Sequence, residues 1–386
     1  METRLIGAGI RTSLGEGLDT HAAALQSADQ RLLNLPSPVS FEMADESIQV
    51  PYHLAAPLDT KTDLQSRFHS LLEETAADAI EAARLSRAEL DRVGVFVGTS
   101  SMDIGLIEDQ FRKDIEKDPH TPQPNWRCSM ESLAPRLRDR FGLGPEGVSV
   151  NTACTASANA LLYADSAIRQ GRIDHALVVG CEIFNATTAL GFHSLDLLTS
   201  SLMRPFDNRR NGLILGEACS AVILSKSNDV TGMHFMGGAT LSDGHSISAA
   251  NPDGSTIEAV IRKALERANI SARDITAIKA HATASLLNDE GEAAGLHRVF
   301  DALPPIVALK PYIGHTFGAS GLTELLIIKA CLDSGFWPST PGVAANGEGL
   351  GIRLAQSPLQ IQEGNFLLNQ FGFGGNNTSL VVRYDR

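Results

Sequence analysis

Short, unbroken apolar runs punctuate the chain at 93–98 (VGVFVG), 147–150 (GVSV), 175–180 (HALVVG), 220–225 (SAVILS), 275–280 (ITAIKA), 305–309 (PIVAL), 365–370 (NFLLNQ) and 379–384 (SLVVRY). Because these runs are continuous rather than alternating, they predict strands covered on both faces. Between them, apolar positions recur at helical spacing over 64–85, 156–169, 255–268 and 320–332. Strand and helix therefore alternate, and the fold class expected is α/β.

The order of these elements repeats. VFVGTS, then VSVNTAC with a following helix, then SAVILSKS is echoed by AIKAHATAS, IVALKPYIGHT with a following helix, and TSLVVRYDR. An internal duplication with its break near 226–231 (KSNDVT) predicts two related halves, residues 1–226 and 227–386, in one packed body. Residues 101–145 read as an insertion of loops and short helices.

Composition narrows the function classes. A chain of 386 residues with 43% hydrophobic positions can bury a large core, and 34 glycines with 5% aromatics suit the tight turns of an α/β enzyme. The formal charge of −13, with no basic cluster longer than the NRR of 208–210, argues against a nucleic-acid binder. No apolar run reaches the roughly 18 residues a membrane span needs, and the first residues lack the pattern of a signal peptide. A cytoplasmic protein is expected. The five cysteines (Cys128, Cys154, Cys181, Cys219, Cys331) form no Cys-x-x-Cys pair, so neither a disulfide framework nor a thiolate zinc site is expected.

Four stretches carry candidate chemistry. In VSVNTACTASANAL, from residue 148, a strand gives way to small residues, presents Cys154, and continues as a helix. A cysteine at such an elbow sits beside the N–H groups of a helix start, which favour a thiolate. The stretch alone leaves two readings open, a buried small residue or a nucleophile. In KAHATASLLNDEGEAAGL, from residue 279, an apolar strand delivers His281 to a loop of hydroxyl residues, with Asp289 and Glu292 near a helix start. LKPYIGHTFGASG, from residue 309, places Lys310 five residues before His315. NQFGFGGNNTSLVV, from residue 369, crowds three glycines between two strands, as a hairpin would. The GAGIRTSLG of 7–15 lacks the third glycine of a dinucleotide turn and reads as a strand and loop.

A cysteine, two strand-end histidines, a lysine and a glycine-rich turn together suit thioester chemistry with a carbanion. The chain resembles the β-ketoacyl-acyl-carrier-protein synthases, the elongating condensing enzymes of the thiolase-like superfamily. Their patterns occur in order: NTACTAS, RPFDNRRNGLILGEACSAVIL for R-P-F-D-x-x-R-x-G-F-V-x-G-E-G, and HATASLLNDEGE for H-G-T-x-T-x-x-x-D-x-x-E. KPYIGHTFGASG follows for K-x-x-x-G-H-T-x-x-A-A-G, and NQFGFGGNN for N-S-F-G-F-G-G-x-N. The resemblance implies a thiolase-like fold, with duplicated α/β halves whose mixed sheets pack in an α/β/α/β/α body.

It further implies a decarboxylative Claisen condensation of malonyl-carrier protein with an acyl group held on Cys154. His281 and His315 would support decarboxylation, Lys310 would be the active-site lysine, and Glu292 its partner in a polar network. Phe373 would be the gate whose N–H joins that of Cys154 in an oxyanion hole, and Thr283 and Ser285 would line the phosphopantetheine channel. The expected partners are acyl carrier protein and a second subunit, as homodimer or heterodimer, with no metal or redox cofactor.

The chain departs from these patterns at Ala282, Ser285, Leu213-Ile214, Glu217-Ala218 and Ala308-Leu309. Lys61, Arg67 and Arg204 are candidates for carrier docking. The competing reading is a non-catalytic partner of the chain-length-factor kind. A non-decarboxylating thiolase would need a second cysteine in a C-terminal Cys-x-Gly, which is absent, and a papain-like hydrolase leaves Lys310 unexplained. The motif drift inclines the reading to a specialised polyketide or aryl-polyene route over ordinary fatty acid synthesis.

Overall fold

A computed structural model describes residues 2–27, 35–43, 46–55, 64–101, 104–120, 132–226, 231–340 and 349–386. The main sheet has eleven strands, of which Gly15–Glu16 is a short hairpin arm on the first and ten form its body: β1 (Thr3–Thr12), β2 (Val93–Gly98), β3 (Gly147–Val150), β4 (His175–Glu182) and β5 (Ala218–Lys226), then β6 (Gly232–Ser242), β7 (Ile275–Lys279), β8 (Ile306–Val307), β9 (Gly364–Phe371) and β10 (Asn376–Asp385). Their order across the sheet is β8-β7-β9-β10-β6-β1-β5-β4-β2-β3. Numbered within each half, both sets of five run 3-2-4-5-1. In each, the second strand pairs parallel with the third and fourth, and the fifth is antiparallel to its neighbours. The halves join where β1 meets β6 through only Thr3 opposite Phe235 and Arg4 opposite His234.

Five helices matter for the site: α1 (Leu64–Ala83), α2 (Ala156–Arg169), α3 (Ser255–Ala268), α4 (Leu286–Val299) and α5 (Ser320–Asp333). Helix α1 covers β1 and β5 on one side, and α3 covers β6 and β10 on the other, with α4 packed on α3. Helices α2 and α5 touch each other and strands of both halves, so they form the central layer of an α/β/α/β/α stack. Their composition fits that place. Ten of the fourteen residues of α2 and twelve of the fourteen of α5 are buried, so neither shows the one-sided apolar stripe of a surface helix. Their backbones approach closely because small residues meet there: a Cβ on Gly321 would lie 2.7 Å from the Ala158 nitrogen.

The strand expectations hold to within three residues at either end, with 275–280 one residue shorter, except that the run at 305–309 narrows to the two residues of β8. Strand β6, eleven residues long, has no counterpart among the apolar runs because glycines and polar residues interrupt it. Gly7 and Gly9 of GAGIRTSLG lie in β1, where a Cβ on Gly7 would meet the Ala79 carbonyl oxygen at 2.2 Å and one on Gly9 the Thr75 carbonyl oxygen at 2.3 Å, so their absence of side chains seats α1 on the sheet. The stretch 101–145 carries helices Ile104–Lys117 and Leu133–Phe141. Cys128, Lys61 and residues 227–230 of the expected break at 226–231 lie outside the described residues.

Candidate active site

Topologically equivalent turns, those after β3 and β8, converge on one cavity. After β3 the chain passes through Ala153 at φ +52°, a left-handed conformation unusual for alanine, and places Cys154 just ahead of α2. Neutral groups fix this elbow. Asn159 donates to Thr152 Oγ1 at 2.8 Å and Thr155 Oγ1 at 3.2 Å, and Ala153 N–H donates to Asn151 Oδ1 at 3.2 Å.

After β8, Lys310 opens a short helical turn and His315 follows it, ahead of α5. His315 Nε2 lies 3.0 Å from Cys154 Sγ, and its Nδ1 lies 3.1 Å from Ser320 Oγ. His281, at the end of β7, crosses His315 edge-on with ring centroids 5.6 Å apart.

Burial dominates the titration of these groups. It pushes the Cys154 thiol up to about 11, although the Phe373 N–H, Lys310 and the Cys154 N–H act the other way. The resting residue is therefore a thiol, contrary to the thiolate expected of a helix start. Burial also drops His315 to about 3 and holds His281 well below the usual range, with Lys310 adding to both shifts. Both imidazoles are neutral, and His315 is free to receive the thiol proton.

Lys310 requires a correction. Its carboxylate partner is Glu324, at 2.8 Å, and it also donates to the His281 carbonyl at 2.7 Å. Glu292 instead accepts the backbone N–H groups of His281 and Ala282, each at 2.8 Å, and so fixes the loop that carries the histidine. Glu324 holds a second lysine, Lys279, at 2.5 Å, and accepts from Gln370 Nε2 at 3.0 Å. Burial alone would raise the Glu324 carboxyl, but Lys279 and Lys310 beside it bring it down to about 2.

The hairpin between β9 and β10 turns through Gly372 to Gly375 and carries Phe373, whose backbone N–H draws the Cys154 thiol down. The Phe373 ring stacks on Phe192 at 5.4 Å and 4° between planes, and Phe192 in turn meets Phe317, which stacks on His315. A cleft of about 550 Å³, counting its open mouth, is lined by Cys154, His281, His315, Phe373, Thr283 and Ser285. Thr283 Oγ1 and Ser285 Oγ are 3.0 Å apart, and Asn288 donates to Thr283 at 3.2 Å.

Two docking candidates fare differently. Arg67 is buried and forms an ion pair through both terminal nitrogens with the buried Glu217, so it is a core residue rather than a surface charge. Arg204 is half-buried beside Asp207.

Sequence reasoning missed Glu324, Lys279, Gln370, Phe192 and Glu182. A charged residue inside an apolar strand or helix, as at Lys279 and Glu324, was the available signal, because such groups are buried only when paired. Glu182, fully buried, accepts from the Ser100 and Ser101 side chains and from Gly318 N at 3.2 Å, tying the end of β2 to the turn beyond His315. Among the described residues no cluster of three metal-ligating side chains occurs, and no helix is long and apolar enough to cross a membrane.

A buried thiol 3.0 Å from a neutral histidine, with the Phe373 and Cys154 N–H groups favouring its anion, is an arrangement suited to acyl transfer through a thioester. The chain belongs to the β-ketoacyl synthases: residues 6–229 match the Beta-ketoacyl synthase, N-terminal domain, and residues 234–344 the C-terminal domain. It is thus a condensing acyltransferase of the thiolase-like fold. The chain is 25% identical to a polyketide biosynthesis malonyl-ACP decarboxylase of Bacillus subtilis (strain 168), over 99% of this chain and 96% of that protein. It is 28% identical to a chloroplastic 3-oxoacyl-acyl-carrier-protein synthase I of Arabidopsis thaliana, over 78% of this chain and 68% of the relative. Among solved structures, a chain from the complex of a ketosynthase with its chain length factor from Xenorhabdus doucetiae superposes with a TM-score of 0.86 at 24% identity, covering 100% of this chain and 98% of that one.

Proposed function

We propose that the protein condenses an acyl group held on Cys154 with a malonyl group delivered by acyl carrier protein, in a specialised polyketide or aryl-polyene route. The observation that carries this reading is the 3.0 Å approach of neutral His315 to the Cys154 thiol on the floor of a cleft that His281 also lines.

In the first half-reaction His315 Nε2 takes the thiol proton as sulfur attacks the incoming thioester. The Cys154 and Phe373 N–H groups hold the oxyanion, and the proton leaves with the carrier thiol. In the second, malonyl-carrier loses carbon dioxide to leave an enolate, whose oxygen needs an N–H from each histidine. The enolate carbon attacks the acyl carbonyl on Cys154, the C–S bond breaks, and the expelled thiolate takes a proton from solvent. Thr283 and Ser285 flank the carrier's phosphopantetheine arm, Glu292 supports His281 through the backbone, and no metal or redox cofactor enters.

The recurring strand order supports the division into 1–226 and 227–386 within this reading. Strand β3 is the open edge of the sheet, with Val148 43% exposed, and a second ketosynthase subunit, identical or related, covers it.

Intact-mass measurement tests the proposal. Incubation with acyl-carrier protein should add one acyl group to the wild type and none to Cys154→Ala, and malonyl-carrier should then discharge it as a β-ketoacyl product. Full condensation by Cys154→Ala overturns the reading. A wild-type chain that is inert alone, yet enables an active second subunit, is instead the non-catalytic partner.

A further inference from the structure

Residue 370 is glutamine where the pattern N-S-F-G-F-G-G-x-N has serine, and its amide reaches two groups at once. Nε2 lies 3.0 Å from Glu324 Oε2, and Oε1 lies 3.1 Å from His281 Nδ1. The amide orientation follows from Glu324, which is flanked by Lys279 and Lys310 and can only accept hydrogen bonds, so it selects the NH2 end. The end facing His281 is then a carbonyl oxygen, which can only accept.

A neutral imidazole carries one N–H. His281 Nδ1 has two rival neighbours, the Gln370 oxygen, which requires a proton there, and Lys310 Nζ at 3.3 Å, which requires a lone pair. The lysine has shorter bonds elsewhere, to the His281 carbonyl at 2.7 Å and Glu324 at 2.8 Å. The Gln370 oxygen has no other hydrogen-bond partner among the described residues, and a buried amide oxygen left unpaired is costly. We propose that Gln370, oriented by Glu324 and Lys279, holds the resting proton of His281 on Nδ1 and leaves Nε2 bare toward the cleft.

Gln370 is thus a positioning residue for His281. Under the proposed reaction, to which this consequence is tied, an imidazole whose Nε2 lacks a proton cannot donate to the enolate oxygen. The proton must move from Nδ1 to Nε2 before carbon dioxide is lost. Gln370 thereby restrains decarboxylation of malonyl groups without affecting acyl transfer to Cys154, which uses His315.

Two-bond proton–nitrogen NMR on the full chain carrying ¹⁵N-histidine reads the tautomer directly, with the His281 signal assigned by its loss in His281→Gln. The wild type should show a protonated Nδ1, and Gln370→Ser, which restores the pattern residue, should show a protonated Nε2. A protonated Nε2 in the wild type, or an unmoved tautomer in Gln370→Ser, overturns the proposal. In the same variant malonyl decarboxylation should rise about fivefold relative to Cys154 acylation, the factor corresponding to one net hydrogen bond. An equal change in both rates overturns the kinetic role. If the chain condenses nothing, the NMR result still decides the tautomer, so the two readings fail separately.

Discussion

The turn from β3 into α2 and the turn from β8 into α5 occupy equivalent places in the two halves, yet they are built from opposite materials. Around Cys154 the side-chain bonds run among Asn151, Thr152, Thr155 and Asn159, all uncharged. Around His315 and Lys310 the buried groups are two lysines and a glutamate. Neutral hydrogen bonds shape the elbow without stabilising a thiolate, so the thiol stays protonated, and the imidazole 3.0 Å from it, His315, comes from the other half. Charge, once buried, must be matched, so the second turn is rigid and its geometry fixed. One scaffold used twice separates the thiol from the histidines and the buried charges.

Removing charge from the second turn should have the largest effect. Glu324→Gln leaves Lys279 and Lys310 without a counter-charge in a fully buried site, and breaking such a cluster costs about 3–5 kcal/mol. Asn159→Ala on the neutral side should cost only about 2 kcal/mol, the combined worth of its neutral hydrogen bonds with Thr152, Thr155 and Thr378. Urea unfolding of both variants checks the difference, and equal losses would erase the contrast. The pH dependence has a definite sign. The Glu324 carboxyl, about 2 in the fold against 4.5 for an ordinary glutamate, contributes stability that is complete above pH 4.5 and lost as pH falls toward 2.

Next in size is the reactivity of the thiol. With Cys154 at about 11 against an ordinary 9.0, the thiolate fraction at pH 7 is about a hundredfold below that of a free cysteine. Iodoacetamide labelling of Cys154, followed by mass spectrometry, should accelerate about tenfold per pH unit up to pH 10. A plateau near pH 8 would mean that Lys310 stabilises the thiolate more than burial opposes it.

A third test bears on the contact between the two turns. Gly321→Ala places a methyl 2.7 Å from the Ala158 nitrogen and side chain at the α2–α5 crossing, and overpacking of this kind costs about 1–3 kcal/mol. Because the crossing sets where Cys154 and His315 meet, acylation should slow together with the loss in unfolding midpoint. A destabilised variant with unchanged acylation would show that the two turns are positioned independently.

What the sequence disclosed follows the same division. Helices α2 and α3 were legible to the residue because their apolar spacing and ends are local properties. The cysteine, both histidines and Lys310 were legible as motif residues, and they do share one cleft or its immediate support. The Lys310–Glu324 pairing was not, because two carboxylates, Glu292 and Glu324, follow a strand or turn at helical distance, and only the packing of α5 decides between them. Arg67 looked like a surface charge because nothing local shows that Glu217, 150 residues away, meets it in the core. Strand β6 escaped detection because its glycines serve the sheet's bulge and contacts rather than a turn.

The smallest effect tests backbone strain on the neutral side. Both turns place a residue with a side chain in the left-handed region, Ala153 at φ +52° and Phe317 at φ +44°. Holding an L-residue there costs about 1–2 kcal/mol. At Ala153 only a half-buried methyl would be lost, so Ala153→Gly relieves the strain, while the greater freedom of glycine in the unfolded chain takes back about 0.4–1 kcal/mol. The net expectation is a gain of about 0.5 kcal/mol, read as a higher urea midpoint with an unchanged slope. The corresponding change at Phe317 would remove the ring that stacks on His315 at 5.3 Å and meets Phe192 at 5.5 Å, so it should destabilise the site instead. A loss of stability in Ala153→Gly would show that the alanine methyl, like the Phe317 ring, is itself part of what holds its turn.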